Sequence, residues 1–219
     1  YNAKLYAASQ TFDEARHVEV FNKYLQDKIG IHYPINPSLK LLLDKILTDE
    51  RWDLKLIGMQ IIIEGLALAA FNTAKAVTPD PVFRDILHLI IRDEARHVTF
   101  GVNYLEDFIE NLTDEEREDR AMFAYEACVI SKERLFPTDV FRKFGWNEDE
   151  AREFSNNAGF ALEFQRLLFS RVVPNLSRIG LLTDKVRPLY DKLGVLEFES
   201  HTAEDITWAE LEKPLDLTA

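Results

Sequence analysis

The chain has 219 residues, of which 47% are hydrophobic, and a formal net charge of −12. This length and apolar content are sufficient for a buried core, and we predict one domain over 1–219. The acidic excess argues against a nucleic-acid or anionic-membrane surface as partner. The single cysteine, Cys128, permits no internal disulfide, so we expect a packing role for it and a reducing, cytoplasmic location. No stretch approaches the ~20 uninterrupted apolar residues of a membrane span, and the start does not resemble a signal peptide.

Segments with apolar residues at spacings of three and four cover most of the chain. The sequence has only 8 Gly and 8 Pro, and most of the prolines fall between these segments. No segment shows the alternating period of a β-strand, and none is a glycine-rich phosphate-binding loop. The pattern therefore predicts an all-α protein.

The helix boundaries follow from start and stop signals. The first helix is predicted over 1–29, without a capping signal before it, as if the chain began partway along an element, and it ends at Gly30. Short helices are expected after Ser38 and from Thr138. Longer helices are predicted over 50–76 and over 81–111. Two more are predicted from a Thr113/Glu116 capping box to about 136 and from Asn147 to about 173. A turn beyond Pro174, a helix over 183–193 and an acidic tail over 196–219 complete the prediction.

The six residues Asp-Glu-Ala-Arg-His-Val occur twice, over 13–18 and over 93–98. Each copy holds a Glu and a His three positions apart. Residues i and i+3 lie on one face of an α-helix, so each pair can direct a carboxylate and an imidazole at one metal ion. The repeat supplies four candidate ligands: Glu14, His17, Glu94 and His97.

Glu64 is the sole charged residue in the apolar segment 56–74. A helix that is apolar on all sides is a buried helix. A buried carboxylate without a partner is strongly destabilising or becomes protonated, and a metal ion removes that penalty. The alternative is a protonated or hydrogen-bonded core glutamate; the two Glu-x-x-His copies on either side favour a fifth metal ligand.

This order of ligands resembles that of the ferritin-like di-iron or di-manganese carboxylate proteins. The family uses six ligands, and this chain matches five. The resemblance implies a ferritin-like bundle in which 1–111 binds the metal and 112–195 adds helices for packing, for a substrate pocket or for an interface. The sixth ligand is expected on a first core helix upstream of Tyr1 that is missing from the chain as given, with Glu126 and Glu163 as the alternatives.

The resemblance also extends to residues that support the ligands. In acyl-carrier-protein desaturases and their relatives, an acidic residue four positions before the ligand histidine accepts a proton from the imidazole of the opposite helix. Asp13 is therefore expected to pair with His97, and Asp93 with His17. Two arginines either neutralise these aspartates or face water: Arg16 and Arg96.

Two tyrosines lie at equal distances beyond the repeats, Tyr24 and Tyr104, and they are interpreted as buried packing residues or as redox residues. Ribonucleotide reductase small subunits carry a radical tyrosine one turn beyond the first ligand histidine, where this chain has Phe21. The p-aminobenzoate N-oxygenase group has an extra histidine where this chain has Ile90. The sequence around the second repeat still resembles that oxygenase branch. The other histidines are predicted to lie outside the site: His32, His88 and His201.

A site of carboxylates and imidazoles suits iron or manganese better than copper(I) or structural zinc, and Glu64 is expected to bridge two ions. The resemblance to the di-iron family then implies an O2-activating di-iron oxidoreductase, of oxygenase, hydroxylase or desaturase type, which we expect to act on a small apolar or aromatic organic substrate. No flavin or nicotinamide motif is visible, so electrons would come from a ferredoxin or reductase; a homodimer is expected. The alternatives are a ferritin-type ferroxidase for iron storage, a ribonucleotide-reductase-like Mn/Fe oxidase and a metal-free scaffold.

Overall fold

The computed structural model describes residues 1–157 and 159–201. These residues form an all-α helical bundle without β-strands, which confirms the predicted fold class. The helices are α1 (Asn2–Tyr24), α2 (Pro37–Thr48), α3 (Trp52–Leu56), α4 (Glu64–Val77), α5 (Pro81–Glu110), α6 (Asp114–Glu133), α7 (Thr138–Lys143), α8 (Glu148–Asn157), α9 (Gly159–Phe169), α10 (Val173–Arg178) and α11 (Arg187–Leu193).

The first helix ends where the sequence predicts. After α1 the backbone continues through a π-helical turn, Leu25–Ile29, to Gly30, which has a φ of 72°. Only glycine adopts this left-handed conformation without strain, so Gly30 closes the helix. Among the residues of α1, only His17 is buried. The helix therefore lies on the outside of the bundle, with its repeat turned inward.

The helix that carries Glu64 is the apolar centre of the bundle. A π-helical segment, Ile57–Ile63, joins α3 to α4 into one continuous helix, Trp52–Val77. Its 26 residues have a mean hydropathy of 1.8 in their most apolar window, so by length and composition alone it could cross a membrane, contrary to the sequence-based expectation. Most of that window, 61%, is buried inside the bundle, which is typical of the core helix of a soluble protein.

Several helix boundaries differ from the predictions at prolines. α2 begins at Pro37, because Asn36 caps it by accepting from the backbone N–H groups of Ser38 and Leu39. Pro137, rather than Thr138, precedes α7, and Pro174 lies in the first turn of α10 instead of beginning a turn. A proline is compatible with the first turn of a helix, where its missing N–H would have no partner in any case.

The remaining differences concern the C-terminal half. The capping box of Thr113 and Glu116 is present, but α6 ends at Glu133, three residues before the predicted end. The single helix predicted over 147–173 is two helices, α8 and α9, although Asn147 does accept from the N–H groups at the start of α8. The last helix begins at Arg187, four residues after the predicted start. Of the acidic tail predicted over 196–219, Leu196–Ser200 form a 3-10 helix with Phe198 buried, and residues 202–219 lie outside the described residues.

The helices of the C-terminal half pack against α4, α5 and α6. α9 packs on α4, α10 on α5 and α11 on α6. A Cβ atom on Gly65 would lie 3.3 Å from Cγ2 of Val172, so this glycine permits the close approach to α4. Cys128 is buried, and Tyr190 donates its hydroxyl proton to the Cys128 Sγ at 3.8 Å. This agrees with the packing role expected for the cysteine.

Candidate metal centre

The two repeats face each other because α1 and α5 run antiparallel. The contacts between the helices occur in reverse order: Tyr6 stacks on Phe100, His17 contacts Asp93, and Tyr24 stacks on Phe83. Two copies of one motif in antiparallel packing are related by a local two-fold axis. The arrangement brings the Glu-x-x-His pairs to a common centre.

The two histidines direct their Nδ1 atoms into one cluster of carboxylates. His17 Nδ1 lies 3.6 Å from Oε2 of Glu14 and 3.4 Å from Oε1 of Glu94. His97 Nδ1 lies 3.3 Å from Oε1 of Glu14 and 3.6 Å from Oε2 of Glu94. Each glutamate therefore presents one oxygen to each histidine, as a carboxylate that bridges two metal ions does.

Glu64 lies on one side of the cluster. Its Oε2 is 3.9 Å from Nδ1 of His97, and no ion-pair contact within 4.0 Å joins it to His17 in the part of the chain that the structure describes. The expected bridging role of Glu64 stays a prediction. In the described residues it is the glutamates of the two repeats, Glu14 and Glu94, whose oxygens lie near both histidines. The half of the cluster around His97, which we call the His97 half, holds four groups within 4.8 Å of one another: Glu14, Glu64, Glu94 and His97.

The half around His17, which we call the His17 half, has three groups: His17, Glu14 and Glu94. It shares both glutamates with the His97 half, and of these the Glu14 side chain is 46% exposed whereas that of Glu94 is 7% exposed. The local two-fold axis relates the position of Glu64 in the His97 half to an equivalent position in the His17 half. A sixth ligand at that position stays a prediction. The two alternatives do not supply it: Glu126 pairs with Lys45 on an exposed surface, and Glu163 is exposed on α9.

The cluster contains unsatisfied buried atoms that fit a cation. Buried polar atoms are almost always hydrogen-bonded, because leaving one without a partner is strongly destabilising. A metal ion among these atoms would satisfy them together, and the nitrogen and oxygen donor set suits manganese or iron. The buried atoms without a hydrogen-bond partner in the cluster are Nδ1 of His17, Nδ1 of His97, Oε2 of Glu64 and Oε2 of Glu94.

The crossed Asp–His contacts predicted from the sequence are present. His17 Nε2 lies 3.1 Å from Oδ2 of Asp93, and His97 Nε2 lies 3.3 Å from Oδ2 of Asp13. Since each Nδ1 faces the carboxylates, the Nε2 atom carries the proton that the aspartate accepts. The orientation of both imidazole rings is thereby fixed for binding through Nδ1.

The two arginines of the repeats neutralise the aspartates. Arg16 donates to Oδ1 of Asp13 at 2.7 Å and to Oδ2 of Asp93 at 2.7 Å. Arg96 donates to Oδ1 of Asp93 at 2.7 Å and to Oδ2 of Asp13 at 3.4 Å. The four side chains form a closed ring of ion pairs over the cluster. Of the two expectations for the arginines, the structure supports neutralisation, although both side chains remain partly exposed.

Two glutamines that the sequence analysis missed hold Glu64 in place. Gln10 donates from Nε2 to Oε1 of Glu64 at 2.8 Å, and Gln60 donates to Oε1 of Gln10 at 3.2 Å. Gln10 lies one turn before Glu14 on α1, and the buried Gln60 lies in the π-helical segment that precedes Glu64. π-Helical turns are often found at functional sites. The sequence signal for these contacts is that each glutamine lies one helical turn before a candidate ligand, Gln10 before Glu14 and Gln60 before Glu64.

The charges of the metal-free cluster are strongly coupled. The adjacent imidazoles of His17 and His97 lower the pKa of Glu14 to about 2. Burial acts to lower the pKa of His17, but the hydrogen bond to Asp93 and the adjacent carboxylates of Glu14 and Glu94 outweigh it and raise this pKa to about 11. The same balance raises the pKa of His97 to about 10. Burial, followed by the charge of Glu94, raises the pKa of Glu64 to about 8. The imidazoles therefore carry protons at neutral pH that a metal ion would displace.

The two candidate redox tyrosines lie in different surroundings. Tyr24 lies on α1, two turns beyond His17. Its hydroxyl donates to Oδ2 of Asp80, at the start of α5. Tyr104 is 44% exposed, which excludes the buried packing role, and stacks on Phe100. The sequence analysis missed Tyr6, whose ring centre lies 6.5 Å from that of His97. Burial, followed by the charge of Glu64, raises the pKa of Tyr6 to about 12.

The three other histidines lie outside the cluster. His88 Nδ1 lies 3.0 Å from Nζ of Lys75. His32 lies in an exposed loop, and His201 contacts Phe198 beyond the last helix. Their exclusion agrees with the sequence analysis.

In comparisons with protein-family models, curated proteins and solved structures, nothing matches this chain. The fold and the site define it as an all-α helical bundle with a buried Glu/His cluster that is suited to a metal ion.

Proposed function

We propose that this protein is an O2-activating di-iron oxidoreductase of the ferritin-like class, of oxygenase, hydroxylase or desaturase type. The observation that carries the proposal is the position of Glu14 and Glu94. Each carboxylate has one oxygen near His17 and the other near His97. A cluster for a single ion has no need of two imidazoles on opposite sides of a shared carboxylate pair, whereas a pair of ions does.

The two halves of the cluster are proposed to bind metal with different affinity. The His97 half offers four groups and should bind the first ion. The His17 half offers three groups, so the second ion binds more weakly and retains positions for water, O2 or substrate. When bound, the iron pair supplies the electrons that activate O2.

The chain's own residues prepare the site for this chemistry. Asp93 and Asp13 hold the Nε2 protons, so that both Nδ1 lone pairs face the cluster. Gln10 fixes one oxygen of Glu64 and leaves the other directed at the His97 half. The buried helix Trp52–Val77 excludes water from the inner side.

The substrate is proposed to be a small apolar or aromatic molecule, and the electrons to come from a separate donor such as a ferredoxin or reductase.

An open cleft of about 590 Å³ lies between α7 and α8 and is lined by aromatic side chains that include Phe141, Trp146 and Phe154. It shares no lining residue with the Glu/His cluster. The proposed substrate therefore approaches the cluster from the side of Glu14 rather than through this cleft.

Anaerobic titration of the metal-free protein with Fe(II), followed by exposure to O2, tests the proposal. We expect two ions per chain, bound in a strong and a weaker step, and an absorption change on oxidation. Glu94→Gln should lose both steps, because Glu94 serves both halves. Glu64→Gln should weaken the first step. Glu126→Gln is the matched control, since this glutamate is exposed and pairs with Lys45 rather than with a residue of the cluster, and it should bind as the unaltered protein does.

The outcomes separate the competing functions. Fewer than one iron per chain would contradict the di-iron site. Two irons whose only reaction is Fe(II) oxidation, with mineral formed inside an assembled cage, would favour a ferroxidase. Preference for one manganese and one iron under mixed loading would favour the Mn/Fe oxidase.

A further inference from the structure

A continuous stack of aromatic side chains leads from the cluster to the protein surface. Tyr6 stacks on Phe100, with ring centres 3.7 Å apart and planes inclined by 10°. Phe100 stacks on Tyr104 at 5.4 Å and 15°, and Tyr104 meets the edge of Trp52 at 5.5 Å. Phe108 flanks Trp52 at 4.5 Å.

The sequence spacing on α5 places the stack next to the candidate ligand His97. Phe100 and Tyr104 follow the candidate ligand His97 at three and seven positions, so they continue its face of α5. The Tyr6 ring lies 6.5 Å from the His97 ring, in an edge-to-face arrangement. At the other end, Trp52 is 42% exposed and Tyr104 is 44% exposed. One end therefore touches the cluster and the other end contacts solvent.

Packing alone does not require these residue types. A hydrophobic contact between α1, α3 and α5 is served by any apolar side chain, and half-exposed positions gain little from large rings. Phenol and indole are, however, the side chains that lose one electron most readily, and their one-electron potentials are similar. Phenylalanine is not oxidised at the potentials that oxidise phenol or indole, so Phe100 serves as the contact between the phenols of Tyr6 and Tyr104.

We propose that Trp52, Tyr104 and Tyr6, in contact through Phe100, form an electron relay between a one-electron donor at the surface and the Glu/His cluster. One electron leaves Tyr6 for the oxidised metal site, and the phenolic proton of Tyr6 passes to water at this partly exposed ring. Tyr104 then reduces Tyr6 across Phe100, Trp52 reduces Tyr104, and the external donor reduces Trp52. Each ring recovers its proton with its electron, so the net change is the transfer of one electron from the donor inward.

Tyr24 provides the internal comparison. It also stacks on a phenylalanine of α5, Phe83, with ring centres 4.8 Å apart. Its hydroxyl donates to Asp80, and its described ring contact is this one alone. Because no further oxidisable ring continues the contact among the described residues, Tyr24 lies off the relay.

The relay rests on the proposed function for its purpose, but its conduction can be measured without metal. The reference protein carries Trp146→Phe and Trp208→Phe, so that Trp52 is the one tryptophan left of three. Pulse radiolysis with azide radicals oxidises Trp52, and absorption follows the tryptophanyl radical and any tyrosyl radical formed from it. In the metal-free reference protein we expect a concentration-independent conversion of the tryptophanyl radical into a tyrosyl radical. This conversion moves an electron from Tyr104 to Trp52, so it measures the same contact in the direction opposite to that of the relay. Tyr104→Phe, which keeps the ring, should abolish it; Tyr24→Phe should leave it unchanged.

Tyr6→Phe tests the inner end. The conversion should persist, but the tyrosyl radical should decay faster, because it now stays on the exposed Tyr104. A conversion rate in Tyr104→Phe equal to that of the reference, or one that rises with protein concentration, would overturn the relay. Iron content is measured separately, so loss of iron binding with intact conversion would count against the proposed function, whereas normal iron binding without conversion would count against the relay.

A second readout uses the protein loaded with iron and exposed to O2 without a donor. Mass spectrometry of its peptides should find oxidation at Trp52 in the unaltered protein and in Tyr24→Phe, but not in Tyr104→Phe. Oxidation at Trp52 that is equal in all three would overturn the link between the stack and the cluster.

Discussion

Asp93 accepts the Nε2 proton of His17 across the contact between α1 and α5, at a distance of 3.1 Å. The Asp93 side chain is 3% exposed and also binds both arginines of the repeats. Three donors therefore converge on one buried carboxylate, and hydrogen bonding to His17, together with the arginine charges, lowers its pKa despite burial. A carboxylate that stays ionised keeps the imidazole proton on Nε2 and leaves Nδ1 free for the metal.

Replacing this carboxylate should weaken metal binding in one half of the cluster. In Asp93→Asn, the amide retains the shape but loses the charge, so the preferred tautomer of His17 is no longer fixed. We expect the affinity of the His17 half to fall by about 10- to 100-fold, the usual effect of removing a partner of a ligand histidine. Calorimetric titration with Mn(II) measures both steps; the first step should change little.

Two further variants serve as comparisons for Asp93→Asn. Asp13→Asn should instead weaken the first step, since Asp13 supports His97. Glu106→Gln removes a carboxylate from the same helix, α5, where it pairs with the exposed Arg178, and should alter neither step. Equal losses in both steps from Asp93→Asn would contradict the division into two halves.

Metal binding should release protons. The pKa of His17 is raised to about 11 and that of His97 to about 10, so both imidazoles are protonated at neutral pH without metal. A metal ion requires the Nδ1 lone pairs, so it displaces these protons and its affinity rises with pH. Titrations in buffers of different ionisation enthalpy count the protons released. A binding enthalpy that is independent of the buffer would contradict the prediction.

Glu64 should make the metal-free protein less stable at alkaline pH. Its pKa is raised from 4.5 to about 8 in the folded state. The folded state thus binds this proton more tightly than the unfolded state, and the contribution to stability is present below pH 4.5 and lost as the pH rises through 8. Glu64→Gln removes this dependence and retains an oxygen that can accept from Gln10. The variant should therefore unfold at a higher temperature than the unaltered protein at about pH 9 with chelator, and at a similar temperature at about pH 4.

Added metal should reverse that order. The unaltered protein gains stability because the ion binds only the folded state, whereas Glu64→Gln has lost one ligand of the His97 half. Thermal unfolding with saturating Mn(II) compares the two proteins. A variant that is less stable than the unaltered protein under all conditions would show that Glu64 is a structural core residue.

The repeat predicted the position of its side chains well because two constraints act on a few residues. A three-residue spacing on a helix fixes one face, and antiparallel packing of identical motifs then fixes which aspartate meets which histidine. The position of Glu64 relative to the two histidines could not be predicted in the same way. Its place in the sequence between the repeats does not fix how the helix Trp52–Val77 approaches α1 and α5.

Other features lie beyond the reach of periodicity. The π-helical segment before Glu64 has the same apolar composition as an α-helix, so nothing in its sequence distinguishes the two. Gln10 and Gln60 act through a contact between residues fifty positions apart. The aromatic stack joins α1, α3 and α5, and Tyr6 is an ordinary helix residue until α5 places Phe100 against it.

The close approach of α5 to the π-helical segment gives a last prediction. A Cβ atom on Gly101 would lie 2.5 Å from Cβ and 3.2 Å from Cγ of Gln60, so Gly101→Ala must push the two helices apart. Because this overpacking occurs in a buried contact, we expect a loss of about 1–3 kcal/mol in the free energy of unfolding. The displacement also moves Gln60 away from Gln10 and so loosens Glu64. Metal affinity in the His97 half should fall with stability, as denaturant unfolding and Mn(II) titration of the same sample will measure. Gly159→Ala is the control, because no atom lies within 4 Å of its added Cβ, and it should leave both quantities unchanged. A Gly101→Ala protein with reduced stability but unaltered metal affinity would show that the glutamine contacts to Glu64 do not position this ligand.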